Sequence, residues 1–512
     1  MNGWILTLLT VLPLFSGLLV LLVGSQGSRS HKLSLGLGFL PLLLVGLLWR
    51  QFDASSGAIQ FIEKHAWIPT LGVDYFLGID GLGLLMVLLS ALVVPFAIAA
   101  TPSSQQGRLY FALLHFLQAG LFGTFTALNF FHWFLFWELS LVPAFFLIKL
   151  WGGPERSAAA MQFFVYTMVG SIAMLLAFAA LFLAANTFDF LKLAELAGSG
   201  ELTRNVGAQL AGTGLTGETL MMMMGCGVLL GFAVKIPILP FHTWLPLTYS
   251  EAPTTTSMVL TGVMSKMGVY GLIRILLPIF PETLRAILTP LLWLSVATIL
   301  FSAYAAFAQK DLKRLIAYSS INHLGYCLLG VFVVLQRGDA SLFNDRAAAL
   351  NGVILQMFNH GLTASALFCF VGFLEQRNGG ARNLDDFGGL RKAAPVLTGL
   401  MGISLFSSLG LPGLNGFVGE FLIFKGALAL KPWAAAFSTL GILATAIFLL
   451  TLYQRVFTGP LRRQSSWVDL SLGERLTVLP AVAAMFLLGV FPQLLLAISN
   501  PTVKRLLTQW MF

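Results

Sequence analysis

Runs of about twenty apolar residues recur along nearly the whole chain, each closed by a short polar or Gly/Pro break. A helix rises about 1.5 Å per residue, so each run matches the ~30 Å hydrocarbon core of a bilayer, where a helix satisfies its own backbone groups. Fourteen windows are predicted, among them 4–23, 33–50, 130–151, 218–238, 254–278, 312–336, 347–374, 394–428, 433–457 and 474–499. Composition agrees, because 57% of the 512 residues are hydrophobic and 10% charged, against about 25% charged in soluble domains. The expected fold class is an all-α polytopic membrane protein. The first run lacks a basic leader and is long enough to span, so it reads as a retained helix rather than a cleaved signal.

Basic loops stay on the cytoplasmic side. Arg29 and Lys32, Arg108, Lys149 and Arg156, Lys310 with Lys313 and Arg314, Arg377 to Lys392, and Arg455 to Arg463 all fall on one side of a fourteen-helix count. That side is expected in the cytoplasm, with both termini opposite. The net charge of +9 follows from this topology and gives no reason to invoke nucleic acid. Two polar stretches near 51–76 and 186–217 read as ordinary loops on the other side. Cys226, Cys327 and Cys369 lie in apolar windows without CxxC spacing and read as small core residues. With no phosphate-binding glycine motif either, metal, cluster and nucleotide sites lack a sequence basis, and redox chemistry is expected in other subunits.

Two windows are interrupted alike. Lys235-Ile-Pro-Ile-Leu-Pro240 breaks the seventh and Gly410-Leu-Pro412-Gly413-Leu-Asn-Gly416 the twelfth. Proline removes a donor and clashes with the preceding turn, so both helices are predicted to be discontinuous at membrane depth. Paired interruptions point to a transporter of inverted repeats with its path near the midplane; coincidental kinking is the alternative. Their five-helix spacing divides the chain into 1–107 (helices 1–3), 108–280 (helices 4–8), 281–460 (helices 9–13) and 461–512 (helix 14), with inverted repeats over helices 4–8 and 9–13.

An ionisable side chain at a helix centre costs on the order of 2.5 to 3.5 kcal/mol and needs a partner or a function. Here Glu138 falls in helix 5, Lys235 at the helix 7 break, Lys266 in helix 8, His323 in helix 10, His360 in helix 11 and Glu420 just beyond the helix 12 break. Pairing Glu138 with Lys235 would offset part of both penalties, either as a fixed salt bridge or as a switch that loads and unloads the lysine. Lys266, His360 and Glu420 extend the series without a matching set of opposite charges, which favours a proton relay. His323 lies among hydroxyls and an amide, and reads equally as lining a hydrated path or as a satisfied core histidine. His242 follows the helix 7 break at the expected cytoplasmic mouth, for proton entry, capping or a structural hydrogen bond.

Phe136-Trp137-Glu138-Leu-Ser-Leu-Val-Pro143, Lys235-Ile-Pro-Ile-Leu-Pro-Phe-His242-Thr-Trp244-Leu-Pro246, Asp311-Leu-Lys313-Arg314-Leu-Ile-Ala-Tyr318-Ser, Asn359-His360-Gly and Gly416-Phe-Val-Gly-Glu420-Phe together resemble the antiporter-like subunits of complex I type dehydrogenases and the related Mrp antiporter subunits. The resemblance covers nearly the whole chain. It implies a proton-translocating membrane-arm subunit of an NAD(P)H or ferredoxin:quinone oxidoreductase; the alternative it leaves is a cation/proton antiporter subunit of an Mrp-like or membrane-bound hydrogenase assembly. By resemblance, Glu138 and Lys235 are similar to the helix 5–helix 7 ion pair, Lys266 to the central lysine, His360 to a connecting relay and Glu420 to the terminal residue, whose glutamate identity favours the M or chain 4 subtype. No cofactor or metal is implied in this chain; quinone, iron–sulfur clusters and nucleotide or ferredoxin are expected in partner subunits. The implied partners are other membrane-arm subunits, further antiporter-like ones among them, and lipids, in a bacterial inner or thylakoid membrane. Where relatives usually continue Asp-Ala-His, this chain reads Leu247-Thr248-Tyr249, and Asn129 stands where many carry an acid, so proton entry is expected to be rearranged.

Overall fold

The computed structural model describes residues 3–24, 27–102, 106–338, 340–461 and 467–511. Arg462 and Arg463 of the basic loop set lie outside the described residues. Among them, thirteen helices are long and apolar enough to cross a membrane, and a further crossing is made by two shorter pieces. In chain order these are helix 1 (Ile5–Val23), helix 2 (Ser28–Gln51), helix 3 (Gly81–Ala99), helix 4 (Arg108–Thr126), helix 5 (Phe130–Trp151), helix 6 (Arg156–Ala185) and helix 7 (Gly217–Lys235, resuming as Trp244–Glu251). Helix 8 (Thr254–Ile279), helix 9 (Leu288–Phe307), helix 10 (Leu312–Val333), helix 11 (Phe343–Arg377), helix 12 (Pro395–Ser408 and Asn415–Leu430), helix 13 (Pro432–Phe457) and helix 14 (Leu472–Val490) complete the set.

Burial follows the solvent. Helices 8, 10 and 11 are almost wholly enclosed, whereas helices 1, 2, 6 and 14 turn bare Leu and Phe outward, such as Phe15, Leu22, Leu176 and Phe486. A helix that is apolar all round and exposed on one side is at rest only in lipid. Helix 11 and the second piece of helix 12 approach closely because the seam is made of glycines. A Cβ on Gly419 would lie 2.9 Å from the Gln356 nitrogen, and one on Gly426 only 2.4 Å from the Asp345 carbonyl.

Three sequence readings change here. The predicted window 474–499 is two helices: Pro492 bars the helical conformation at Phe491, and a separate helix, Gln493–Met511, follows. It packs across helices 3 and 11, where Thr502 Oγ1 accepts from Gly81 N at 2.9 Å and Asn351 Nδ2 donates to Asn500 Oδ1 at 3.0 Å. The stretches near 51–76 and 186–217 carry regular structure, an antiparallel hairpin of β1 (Gln60–Ile68) and β2 (Val73–Ile79) and two short helices, Phe190–Gly198 and Glu201–Gln209. The hairpin holds the start of helix 1, since the buried Glu63 carboxylate accepts from Leu6 N at 2.8 Å and Thr7 N at 3.0 Å, two amides a helix start leaves unpaired. Cys226 is exposed on helix 7 rather than packed in the core; Cys327 and Cys369 are buried.

The first piece of helix 12 borrows its cap from the far end of the chain. Asp469 accepts from Val396 N at 2.8 Å and Leu397 N at 3.0 Å. Partial burial pushes this carboxyl up, but the amides of Val396, Leu397 and Leu470 more than reverse that and hold it below the ordinary carboxylate range. Its contribution is therefore complete above that range and disappears as pH falls through the depressed value. Asp469→Ala is expected to lower stability at neutral pH by about 1 kcal/mol. Thermal unfolding of the purified protein at neutral and strongly acidic pH checks this: an equal gap between variant and parent at both would contradict it.

Candidate functional site

Helix 8 is wound irregularly on both sides of its lysine, with π-helical segments at Leu260–Met264 and Leu272–Leu276. Such a bulge leaves a carbonyl outside the regular ladder. Thr261 O is turned toward Lys266, whose fully buried Nζ donates to it at 2.5 Å and to Ser265 Oγ at 3.3 Å, and stands 2.8 Å from His360 Nδ1. An ammonium has three donor directions, and these neighbours take all three.

From His360 the next step is a ring-to-ring contact rather than a hydrogen bond. Its ring lies 5.0 Å from that of His323, centre to centre. His323 Nδ1 is 2.9 Å from Glu420 Oε1, and its Nε2 is 3.1 Å from Ser408 Oγ at the end of the first piece of helix 12. His323 thus lies between His360 and Glu420, buried with both ring nitrogens partnered. Glu420 is seated by the interruption itself: at Gly410, φ is +80° and a Cβ would come 2.9 Å from Glu420 Oε2, so only glycine fits. Asn359 Nδ2 on Asn415 O at 2.7 Å and Ser407 Oγ on Asn415 Oδ1 at 2.5 Å hold the two pieces of helix 12 in place.

The expected Glu138–Lys235 ion pair is not formed. Lys235 Nζ is buried without a hydrogen-bond partner and lies 4.9 Å from the centre of the Trp137 ring, while Glu138 Oε1 has no partner either. Adjacent positions on a helix point about 100° apart, so an ammonium on the Trp137 face does not reach the Glu138 carboxylate. Trp137 is fixed there by its indole N–H donating to Ser171 Oγ at 3.0 Å. On its other side Lys235 borders a cavity of about 10 Å³, closed by Tyr249, Met264 and Ser265. That is room for about one water. Ser265 in turn touches Lys266, so Lys235 and the central cluster are separated by one small gap.

His242 is not at a mouth. Helix 7 resumes for two turns after it, and its ring packs edge-on against Phe301 of helix 9 at 5.1 Å. The freed backbone of the break is met by Thr298 Oγ1, which accepts from Leu239 N at 3.1 Å, and by the Trp244 indole donating to Val234 O at 3.0 Å. The opening lies at the end of that second piece: a cavity of about 430 Å³ among the ends of helices 3, 5, 7, 8, 10 and 11, lined by Glu251, Thr254, Thr255, Lys313, Glu375 and Arg382. Arg382 anchors it, reaching Asp311 at 2.5 Å, Glu251 at 3.2 Å and Glu375 at 3.4 Å, and Lys313 closes on Glu375 at 3.0 Å. Burial alone would loosen the Arg382 proton, but these three carboxylates raise its pKa above the ordinary arginine value.

Sequence reasoning missed Gln356 and Ser408, which both touch His323. Gln356 stands four residues before His360 and therefore on its face of helix 11, the signal that could have found it.

A sequence family described as NADH:quinone oxidoreductase/Mrp antiporter, TM, matches residues 127–447, which include all seven candidate residues. The chain belongs to this family. Within the NADH:quinone oxidoreductase/Mrp antiporter family it is 36% identical to NADH-quinone oxidoreductase subunit M of Rhodobacter capsulatus, over 99% of this chain and 97% of that one. It is 38% identical to F(420)H(2) dehydrogenase subunit M of Methanosarcina mazei over 84% of each. Among solved structures, a chain of respiratory complex I from Thermus thermophilus with bound NADH superposes with a TM-score of 0.85 at 29% identity, over 99% of both chains. A chain of the Mrp complex from Dietzia shares the fold with a TM-score of 0.81 at 20% identity, over 100% of this chain and 99% of that one. This member of the family is a multi-span integral membrane protein.

Proposed function

We infer that this chain is a proton-translocating membrane-arm subunit of a complex I type quinone oxidoreductase. The observation that carries the reading is the unbroken buried contact from Lys266 through His360 and His323 to Glu420, running from a bulged helix to an interrupted one. In this reading the basic side is cytoplasmic, with both termini opposite, and protons enter at the cavity around Glu251, Glu375 and Lys313. Lys235 is loaded with a proton when Glu138 approaches it, and withdrawal of Glu138 leaves an unpaired ammonium poised to pass the proton on, which is the arrangement observed. A water in the gap beside Ser265 hands the proton to Lys266, and His360, His323 and Glu420 carry it to the other face beside the helix 12 interruption. His242 belongs to the wall of the helix 7 break. Electron transfer, with quinone, iron–sulfur clusters and a nucleotide or ferredoxin donor, belongs to partner subunits; further antiporter-like subunits and lipid surround the outer helices.

Affinity purification of this chain from native membranes is expected to bring quinone-binding and iron–sulfur subunits with it. The complex in sealed vesicles is expected to move protons during quinone reduction equally well in sodium and in potassium buffers. Recovery of an assembly without iron–sulfur subunits, or translocation that requires sodium, would favour the cation/proton antiporter role instead.

A further inference from the structure

The last pair of the line, His323 and Glu420, has a third member. Gln356 is buried in the glycine seam between helices 11 and 12, and its Nε2 stands 3.2 Å from Glu420 Oε1 and 3.3 Å from His323 Nδ1. Those two atoms are themselves 2.9 Å apart, so the three groups close a triangle. The amide oxygen has no hydrogen-bond partner; it is pressed against Gly419, where a Cβ would come within 2.7 Å of it. A buried carbonyl left unpaired costs free energy, and it is tolerated when the other end of the same side chain is held for a purpose.

Resting on the reading of this line as a proton path, we propose that Gln356 is a positioning residue that makes the His323–Glu420 transfer possible by donating one N–H of its amide, the one directed at this closely spaced pair, to whichever partner lacks the proton. Before transfer, His323 is protonated at Nδ1 and Glu420 is a carboxylate, and the amide N–H supports the carboxylate. In the transfer the Nδ1–H bond breaks and an O–H bond forms on Oε1, leaving neutral His323 with a lone pair at Nδ1. The same N–H, 3.3 Å away, then turns to that lone pair. In water, solvent would follow the charge in this way; here, one amide does. Both end states keep a hydrogen bond, so neither is a trap. The titratable groups around the triangle are His323 from helix 10, Glu420 from helix 12 and His360 from helix 11, with Lys266 of helix 8 behind His360, Tyr326 edge-on to His323 at 5.7 Å, and the buried Cys327 of helix 10, which feels the charges of both Glu420 and Lys266.

The test compares Gln356→Met, which keeps the volume and removes the N–H, with Gln356→Glu, which keeps the shape and donates only while protonated. Each is measured in the whole complex in sealed vesicles as protons moved per quinone reduced, across pH. Gln356→Met is expected to lower translocation about ten-fold at every pH, the loss of one hydrogen bond to a charged group. Gln356→Glu is expected to match it at high pH and to recover as pH falls. Translocation unchanged in Gln356→Met, or the two variants coinciding at all pH values, would overturn the proposal, because a packing role has no reason to depend on a proton at residue 356. Glu420→Gln in the same assay separates the two levels: if it pumps normally, the proton path itself is wrong; if it fails while Gln356→Met pumps, only the role of Gln356 is.

Discussion

Lys266→Met is expected to abolish proton translocation while the complex still assembles. Methionine nearly matches lysine in volume, so the enclosed centre of helix 8 stays filled. What disappears is the one group that touches both sides of the line, Ser265 at 3.3 Å and His360 at 2.8 Å. Thr261 O keeps the Ser265 hydroxyl at 3.0 Å, so the substitution leaves only His360 Nδ1 without its partner. One unsatisfied buried group costs about 1–3 kcal/mol, and removal of a buried charge offsets part of it. Stability is therefore nearly conserved, whereas the proton meets an apolar side chain that can neither accept nor donate it. Proton uptake per quinone reduced in sealed vesicles measures this; a value within two-fold of the parent would mean that protons bypass Lys266.

Lys235→Met is expected to stop translocation too, but with the opposite signature in stability. Lys235 Nζ has neither a carboxylate nor a hydrogen-bond acceptor, only the face of Trp137 at 4.9 Å. A cation over an aromatic face recovers about 0.5–2 kcal/mol, less than the desolvation of a buried ammonium takes away. Removing the charge should hold or raise the thermal unfolding midpoint of the purified protein while translocation is lost. A fall in that midpoint would show that Lys235 is paired in the resting protein after all, and retained pumping would remove it from the path. The contrast with Lys266, whose donors are all engaged, separates a group that waits for a partner from one that is permanently wired.

What was legible in one dimension is what a bilayer makes conspicuous. A lysine in an apolar window and a Pro/Gly run in a helix are expensive, so Lys235, Lys266, Glu420 and both interruptions stood out before any packing was known. Partners were not legible. Whether Glu138 meets Lys235 depends on which side of helix 5 faces helix 7, and residues 137 and 138 differ by about a third of a turn. Gln356 is a neutral amide with no such cost attached, and Thr261 acts through a carbonyl freed by a bulge that its side chain does not announce. The resumption of helix 7 after His242 escaped because Trp244–Glu251 is too short for a spanning window and carries Pro246, which a first turn tolerates. The hairpin had a usable signal in Pro69-Thr-Leu-Gly72, where Gly72 takes φ +58° between two strands.

The cap that Asp469 provides for Pro395–Ser408 has a consequence for how the chain comes into being. The first piece of helix 12 is fourteen residues long, too short to span alone. Its leading amides find their acceptor only after more than seventy further residues have left the ribosome and helix 13 has been threaded into the membrane. The tie between Thr502 and Gly81 waits longer still, joining the last helix to the third. The short leading piece of helix 12 is thus completed by residues made after it, so its capping is among the last local structures of the chain to form.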